Sequence, residues 1–458
     1  MSNDPLKSWR NKLPEQFLHW SEGKHIEEVE CIVPDMAGIS RGKAIPTAKF
    51  AKGTSTYLPN SIFYQTITGG YAELNDMENQ WIERDMLLIP CLETACCAPW
   101  AQDPTLQIIH DLHTSTGALV ELAPRTVLAR VMKAYHERGL EPIVGPEMEF
   151  YLTKPNVDPK DPIEPPLGRT GRQGMGRQVY SMAAVDEYGK VVDDIYEFAD
   201  AQGFSIESVI QEGGAGQIEI NLAHNNPMAL ADQIFYFKRS IREAALQNGY
   251  FATFMAKPMR DQPGSAMHIH HSVKDRKNGQ NIFKNNDDSE SESFYYYLGG
   301  MQRYLPSVVA ILAPYVNSYR RFDADNSAPA NVEWSRDNRT TGLRIPVSDP
   351  HNRRIENRIV GMDCNPYLAL AASLACGLLG LENKIDPREP KLADAYSDGI
   401  SLPITLNAAL ENFTREPELY TLLGENFCKV YKEIKQTELS EFLSEISPWE
   451  REHLLLNV

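Results

Sequence analysis

Positive charge is in short supply: 45 Lys and Arg face 62 Asp and Glu, a formal net charge of −17 over 458 residues. A general nucleic-acid binder needs a basic face, so that class of partner is excluded. Cysteine is also scarce. Seven in a chain this long do not make a disulfide framework, and none has zinc-ligand spacing; Cys96 and Cys97 are adjacent and lack partners. Buried, reduced thiols in a cytoplasmic protein are expected. The N-terminus, Met-Ser-Asn-Asp-Pro, carries no apolar signal core. The most apolar run, residues 366–381, is shorter than the ~20 residues a membrane span needs and is rich in Ala and Gly. It reads as a buried helix, with no membrane partner. No internal repeat or coiled-coil heptad occurs. Gly171, Gly174 and Gly176 mimic a phosphate-binding run, but no strand leads into it and no periodic helix follows, so residues 155–176 read as a long Pro/Gly/Arg loop.

What is present is enough apolar residue for a core, 42% hydrophobic against 23% charged, in a chain long enough for two domains. The first ~115 residues look strand-rich. A β-favouring run at 26–33, the turn Pro34-Asp35-Met36-Ala37-Gly38 and a return from Lys43 predict a hairpin. Residues 53–71 read as a loop. Pro124 opens an amphipathic helix with Leu128, Val131, Met132 and Tyr135 at helical spacing, closed by Gly139. This marks the boundary between a small domain, 1–120, and a large one, 121–458. Residues 285–293 form an acidic tip, and 404–458 are helical in pattern.

Four strand-like segments gather charged or ligating residues, three of them at i and i+2, which puts each such set on one face, and one by a bend between its two acids. They are Glu147 and Glu149; Glu212 and Glu219, joined by a small-residue stretch that can bend; His268, His270 and Ser272; and Arg354, Glu356 and Arg358. Singly, each fits a solvated strand face. If the strands share a sheet, five carboxylates and the His268 imidazole converge. Packed carboxylates must protonate or bind cations, and oxygen-rich ligand sets suit Mg²⁺ or Mn²⁺ rather than zinc. Arg320, Arg321, Arg339, Arg344, Arg353, Arg354 and Arg358 cluster within about 40 residues and offer guanidinium forks for a transferring phosphoryl group. Arg320 and Arg353 are the two better explained as surface ion pairs.

These segments, with Gly264-Ser265-x-Met267, Asn317-Ser318-Tyr319-Arg320-Arg321 and Asn338-Arg339…Arg344-Ile345-Pro346, resemble the glutamine synthetase superfamily in the family's order. The resemblance implies an α+β fold: a small N-terminal β-grasp domain and a large catalytic domain whose antiparallel sheet forms a funnel flanked by helices. It implies a homo-oligomer of hexameric rings, often stacked to dodecamers, in which a neighbour's small domain closes each funnel. Carried over, one metal site is Glu149, Glu212 and Glu219, and the other is Glu147, His268 and Glu356. Glu207, His270, Ser272, Arg344 and Arg354 would contact ATP. Gly264, Arg321 and Arg358 would hold glutamate, Arg339 would face the transferring phosphate, Asp35 would deprotonate the amine across the subunit boundary, and Tyr180 would line its pocket. The implied activity is ATP-dependent ligation of the glutamate side-chain carboxylate to an amine through a γ-glutamyl phosphate. A non-catalytic structural relative is the contrasting class, set aside because all six ligand positions hold metal-competent residues.

Two departures from the ammonia-using pattern bear on the amine. Ser327 stands where a glutamate usually closes the site, and Pro263 replaces the asparagine before Gly264. Less charge and more room favour a primary amine. The runs 333–339 and 263–268 resemble the subgroup that γ-glutamylates polyamines such as putrescine, with Trp334 on the alkyl chain and Asp325 or Glu333 at a distal ammonium. Monoamines and ammonia are the alternatives.

Overall fold

The computed structural model describes residues 9–72, 82–322, 328–396, 402–413 and 415–458. Ser327 and Asp325 lie outside them. Near the N-terminus, β1 (Glu28–Pro34) and β2 (Ser40–Pro46) form the expected hairpin around Asp35. A six-stranded sheet grows from it with β3 (Thr56–Pro59), β4 (Asp85–Pro90), β5 (Cys96–Cys97) and β6 (Thr105–His113), in the order β2-β1-β6-β4-β3, β5 pairing with β6. The β1–β6 pair is parallel. Residues 53–71 are not all loop: they contain β3 and a 3₁₀ turn, Asn60–Phe63, whose Ile62 and Phe63 are buried. Scattered Gly, Ser and Thr hid a short strand that its tertiary partner β4 stabilises.

The helix Pro124–Glu137 follows, burying Val127, Leu128, Val131 and Tyr135. Gly139, at φ +71°, then turns the chain back in a conformation that costs glycine little. The second sheet has eight strands: β7 (Leu140–Thr153), β8 (Ile206–Gln211), β9 (Gln217–Leu222), β10 (Phe251–Thr253), β11 (Met267–Asp275), β12 (Trp334–Arg336), β13 (Leu343–Ile345) and β14 (Ile355–Asn357). Their order is β12-β13-β14-β11-β7-β9-β8, with β10 on β7, and every pairing but β12–β13 is antiparallel. This is the α+β architecture expected. Helices cover one face. Among them Pro366–Asn383 is buried from Pro366 through Gly380, as its apolar run predicts. Among the described residues, no helix is long and apolar enough to cross a membrane. All seven cysteines are free and buried.

Charged groups join the small sheet to the rest. Arg125 is held between Asp111 of β6, at 2.9 Å, and Asp232, which also accepts from the Tyr367 hydroxyl at 2.7 Å. Arg239 grips Glu30 of β1 with both terminal nitrogens. Asn365 caps the helix Pro366–Asn383 through its carbonyl and donates its amide N–H to the Asp35 backbone oxygen at 2.8 Å.

Candidate active site

Register decides which side chains meet. On β7, Glu147 lies opposite His268 of β11, and Glu149 opposite Glu219 of β9. On β11, His270 lies opposite Glu356 of β14, which in turn faces Arg344 of β13. Met148, Phe150, Ile218, Ile220 and Ile269 alternate with these residues and are buried in the core. Core burial on one face therefore forces the polar set onto the other.

Ligand atoms of Glu147, His268 and Glu356 lie within 4.8 Å of one another, as do those of Glu149, Glu219 and His268. His268 Nδ1 is 2.8 Å from Glu147 and 3.9 Å from both Glu149 and Glu356. The first grouping is the triad the resemblance implies. In the second, His268 takes the place expected for Glu212, which lines the same cavity but stands outside the tight grouping.

Electrostatics divides the acids. Burial, then the Glu212 charge, pushes the Glu149 carboxyl up to about 8. Burial, then the charges of Glu147, Glu149 and Glu212, raises Glu219 to about 9. Burial also raises Glu212. For Glu147, burial is outweighed by hydrogen bonds from His268 and His270, which hold it well below the usual range. For Glu356 burial is again outweighed, first by the Arg358 charge and then by His268. Such a set is poorly ionised alone and gains from a compact cation. Five carboxylates with one imidazole fit a hard divalent ion, so these acidic and histidine groups could hold one.

Two cavities open from this cluster. One, of about 490 Å³, is lined by Glu149, Glu212, Glu219, His268, Gly264, Arg321, Arg358, Arg339, Arg344 and Tyr180. The other, of about 450 Å³, is lined by Glu207, His270, Ser272 and Arg354. Glu147 and Asn221 line both. Strand β14 explains the split: Arg354 reaches the second cavity, Glu356 is fully buried between them, and Arg358 reaches the first.

The first cavity is equipped for an anion. Arg321 and Arg358 are nearly fully buried, and each has a buried Nε without a hydrogen-bond partner. Gly264 lets the backbone pass close by, since a Cβ there would come within 2.3 Å of Arg321 Cγ. Arg339 is exposed at the edge.

Other sequence expectations need correction. Arg344 lines the first cavity rather than the second, and its Nε bonds Glu356 at 2.6 Å. Trp334 lines neither cavity. Its indole is buried, donates to the Arg388 carbonyl at 2.5 Å and packs edge-on to Tyr295, which is core packing. Glu333 is buried beside it and pairs with Arg388. Among the described residues Arg353 forms no surface ion pair but donates to the carbonyls of Asp288 and Ser289. Asp35, expected to serve a neighbouring subunit's site, lies outside both cavities of its own chain, which is no departure from that expectation; its carboxylate accepts from the N–H groups of Ala37 and Ile39 and from Arg41 at 2.8 Å.

Sequence reasoning missed Asn221, which donates to Glu219 at 3.1 Å, and gave Gln217 no role, though it donates to Glu149 at 3.3 Å and to the Gly264 carbonyl at 2.9 Å. Both sit at i±2 from Glu219, so the same-face rule would have found them. His224 and Tyr396 also line the cavities, with no signal in their spacing.

Comparison with known proteins agrees with this geometry. Residues 121–454 match the model of the glutamine synthetase catalytic domain. The chain is 36% identical over 435 residues to gamma-glutamylputrescine synthetase PuuA of Escherichia coli strain K12, covering 94% of this chain and 92% of that protein. It is 31% identical over 445 residues to a glutamate–isopropylamine ligase of a Pseudomonas species, covering 94% and 95%. A glutamine synthetase of Halobacterium salinarum is 33% identical over 387 residues, covering 81% and 83%. Among solved structures, ligand-free GmaS superposes with a TM-score of 0.81 at 26% identity, covering 95% of this chain and 98% of that one. Relatives that are glutamate–amine ligases and glutamine synthetases place the chain among ligases that form carbon–nitrogen bonds. The chain belongs to the glutamine synthetase family.

Proposed function

We propose that this protein joins the side-chain carboxylate of glutamate to a primary amine at the expense of ATP, with polyamines such as putrescine first and monoamines second. The observation that carries the reading is the pair of cavities meeting at Glu147. Four of the five residues expected at ATP line one, and the three expected at glutamate line the other. The relatives named for putrescine and isopropylamine favour a substituted amine over ammonia.

In this reading Glu207, His270, Ser272 and Arg354 hold the nucleotide, and Arg321 and Arg358 pair with glutamate beside Gly264. Glu147, Glu149, Glu212, Glu219, His268 and Glu356 bind two or more divalent ions, Mg²⁺ or Mn²⁺, which when bound neutralise the polyphosphate. The glutamate carboxylate attacks the γ-phosphorus, releasing ADP and leaving an acyl phosphate whose charge Arg339 offsets. The amine then displaces inorganic phosphate to form the amide. An alkylammonium is almost fully protonated near pH 7 and must first lose a proton. Asp35 is our candidate base. Since it faces away from its own funnel, it would act on a neighbour's, in hexameric rings that pair to a dodecamer, and Arg41 would have to release it. The division at residue 120 separates the closing domain from the catalytic one. A cytoplasmic setting, where buried thiols stay reduced, completes the proposal.

The test is phosphate release with ATP, Mg²⁺ and glutamate across ammonium, ethylamine, putrescine and spermidine. The expected result is a higher kcat/KM for a primary amine than for ammonium. Ammonium as the best substrate would overturn the choice of amine, and no turnover with any of them would overturn the ligase reading.

A further inference from the structure

One wall of the glutamate-side cavity is apolar amid polar neighbours. Val179 lines it beside Tyr180, and Pro263 lines it across from them. A Cβ built on Gly213 would lie 3.3 Å from the Pro263 ring and 3.8 Å from a Val179 methyl, so the two side chains flank the glycine that follows Glu212. Val179 is 45% exposed: its isopropyl group faces open space rather than the core.

The wall is built rather than loose. Arg177 and Tyr180 both hold left-handed backbone, at φ 66° and 62°, which non-glycine residues adopt at a cost. The Arg177 N–H donates to the Gly213 carbonyl at 2.7 Å, and the Tyr180 N–H donates to the Gln211 carbonyl at 2.9 Å. Both bonds sew the segment to the turn that carries Glu212. Opposite, Pro263 is anchored by its own carbonyl, which accepts from the Tyr151 hydroxyl at 2.8 Å. Left-handed backbone at two residues, held by two hydrogen bonds to the turn that carries Glu212, fixes Val179 at the lip.

We infer that Val179 and Pro263 form a specificity-determining clamp for the hydrocarbon chain of the amine. The inference rests on the proposed function. An amine nitrogen attacking an acyl phosphate near the acid cluster must leave its substituent directed away from the metals and arginines. Of the groups lining the cavity beside Glu212, the Val179–Gly213–Pro263 strip offers contact without a charge to desolvate. Ammonia has no substituent and gains nothing from the strip. Each methylene brought against it raises kcat/KM on the order of fourfold.

The experiment compares butylamine with methylamine in the full-length enzyme with ATP, Mg²⁺ and glutamate. Its readout is the ratio of the two kcat/KM values, which is independent of the active fraction of each preparation. Val179→Thr, nearly the same shape but bearing a hydroxyl, is expected to lower the ratio by about threefold or more, and Val179→Leu to raise it. Ratios unchanged in both variants, with the parent active on both amines, would overturn this inference and leave the ligase reading intact. A parent that turns over ammonium but neither alkylamine would overturn the amine reading beneath it.

Discussion

Glu219 shows how one side chain serves the site. It sits on β9 with its neighbours Ile218 and Ile220 in the core, so its direction is set by the pleat, and Asn221 holds one of its oxygens at 3.1 Å. Without a cation its charge is opposed by burial and by three other carboxylates. Glu219→Gln keeps the shape and removes that repulsion. The metal-free variant is expected to melt no lower than the parent, to lose the rise in Tm that Mg²⁺ gives the parent, and to lose metal-dependent turnover. Differential scanning fluorimetry with and without Mg²⁺ checks this, and an undiminished Mg²⁺ shift would remove Glu219 from the ligand set. At this scale much was legible: paired acids at i and i+2 announce a shared face whatever the fold. Trp334 was not legible, because an indole on a strand packs a core or a ligand equally well, and the Arg388 carbonyl that claims its N–H lies 54 residues away.

At the scale of elements, the buried helix Pro366–Asn383 supports the sheet and crosses the helix Glu292–Tyr304 in close contact. A Cβ on Gly380 would lie 2.2 Å from the Tyr296 carbonyl oxygen and 2.5 Å from Gly300 Cα. Backbone cannot yield as a flexible side chain can. Gly380→Ala is therefore expected to force the helices apart and cost about 1–3 kcal/mol, seen as a lower midpoint in urea. Gly189, at the start of another helix, has nothing within 4 Å of its Cβ position, and Gly189→Ala serves as the contrasting variant, neutral or slightly stabilising. Equal losses in the two would show that the crossing is not the cause. The apolar run 366–381 made this helix legible, and the Pro124 and Gly139 signals bounded another. Strand β3 was not, since a four-residue strand owes its existence to the partner it finds at Asp85–Pro90.

For the whole molecule, buried imidazoles link stability to pH. Burial lowers His110, on β6 of the small sheet, to about 4, and lowers His271, between the Tyr297 and Ser373 hydroxyls, to about 3. In the unfolded chain both titrate near 6.5. Above about 6.5 both states hold neutral imidazole rings and their contribution to stability is full. As pH falls below that, the unfolded chain takes up protons that the folded one refuses, until about 4 for His110 and about 3 for His271. Each ring then removes about 1.4 kcal/mol per pH unit across its window. Glu149 and Glu219, raised in the folded chain, act with the opposite sign over the same range, so the readout is the difference between variant and parent: in urea unfolding at pH 7, 6 and 5, His110→Phe is expected to gain stability relative to the parent as pH falls, by about one proton's worth. An unaltered slope in the variant would place the proton uptake elsewhere.

The chain by itself determined a good deal: an acidic protein without zinc spacing or a membrane-length apolar run, a strand-rich beginning, a buried helix, and a polar set whose period of two assigns each member to one face. Those are local properties, fixed by backbone geometry and by what water rejects. Only the tertiary structure decided which faces meet, because antiparallel register between strands as far apart as Leu140 and Asp275 is set by packing the opposite face. That register placed His268 within reach of both acid groups and put Arg344 on the glutamate side, while packing outside it buried Trp334 and brought Val179 and Pro263 to the two sides of Gly213 at the lip.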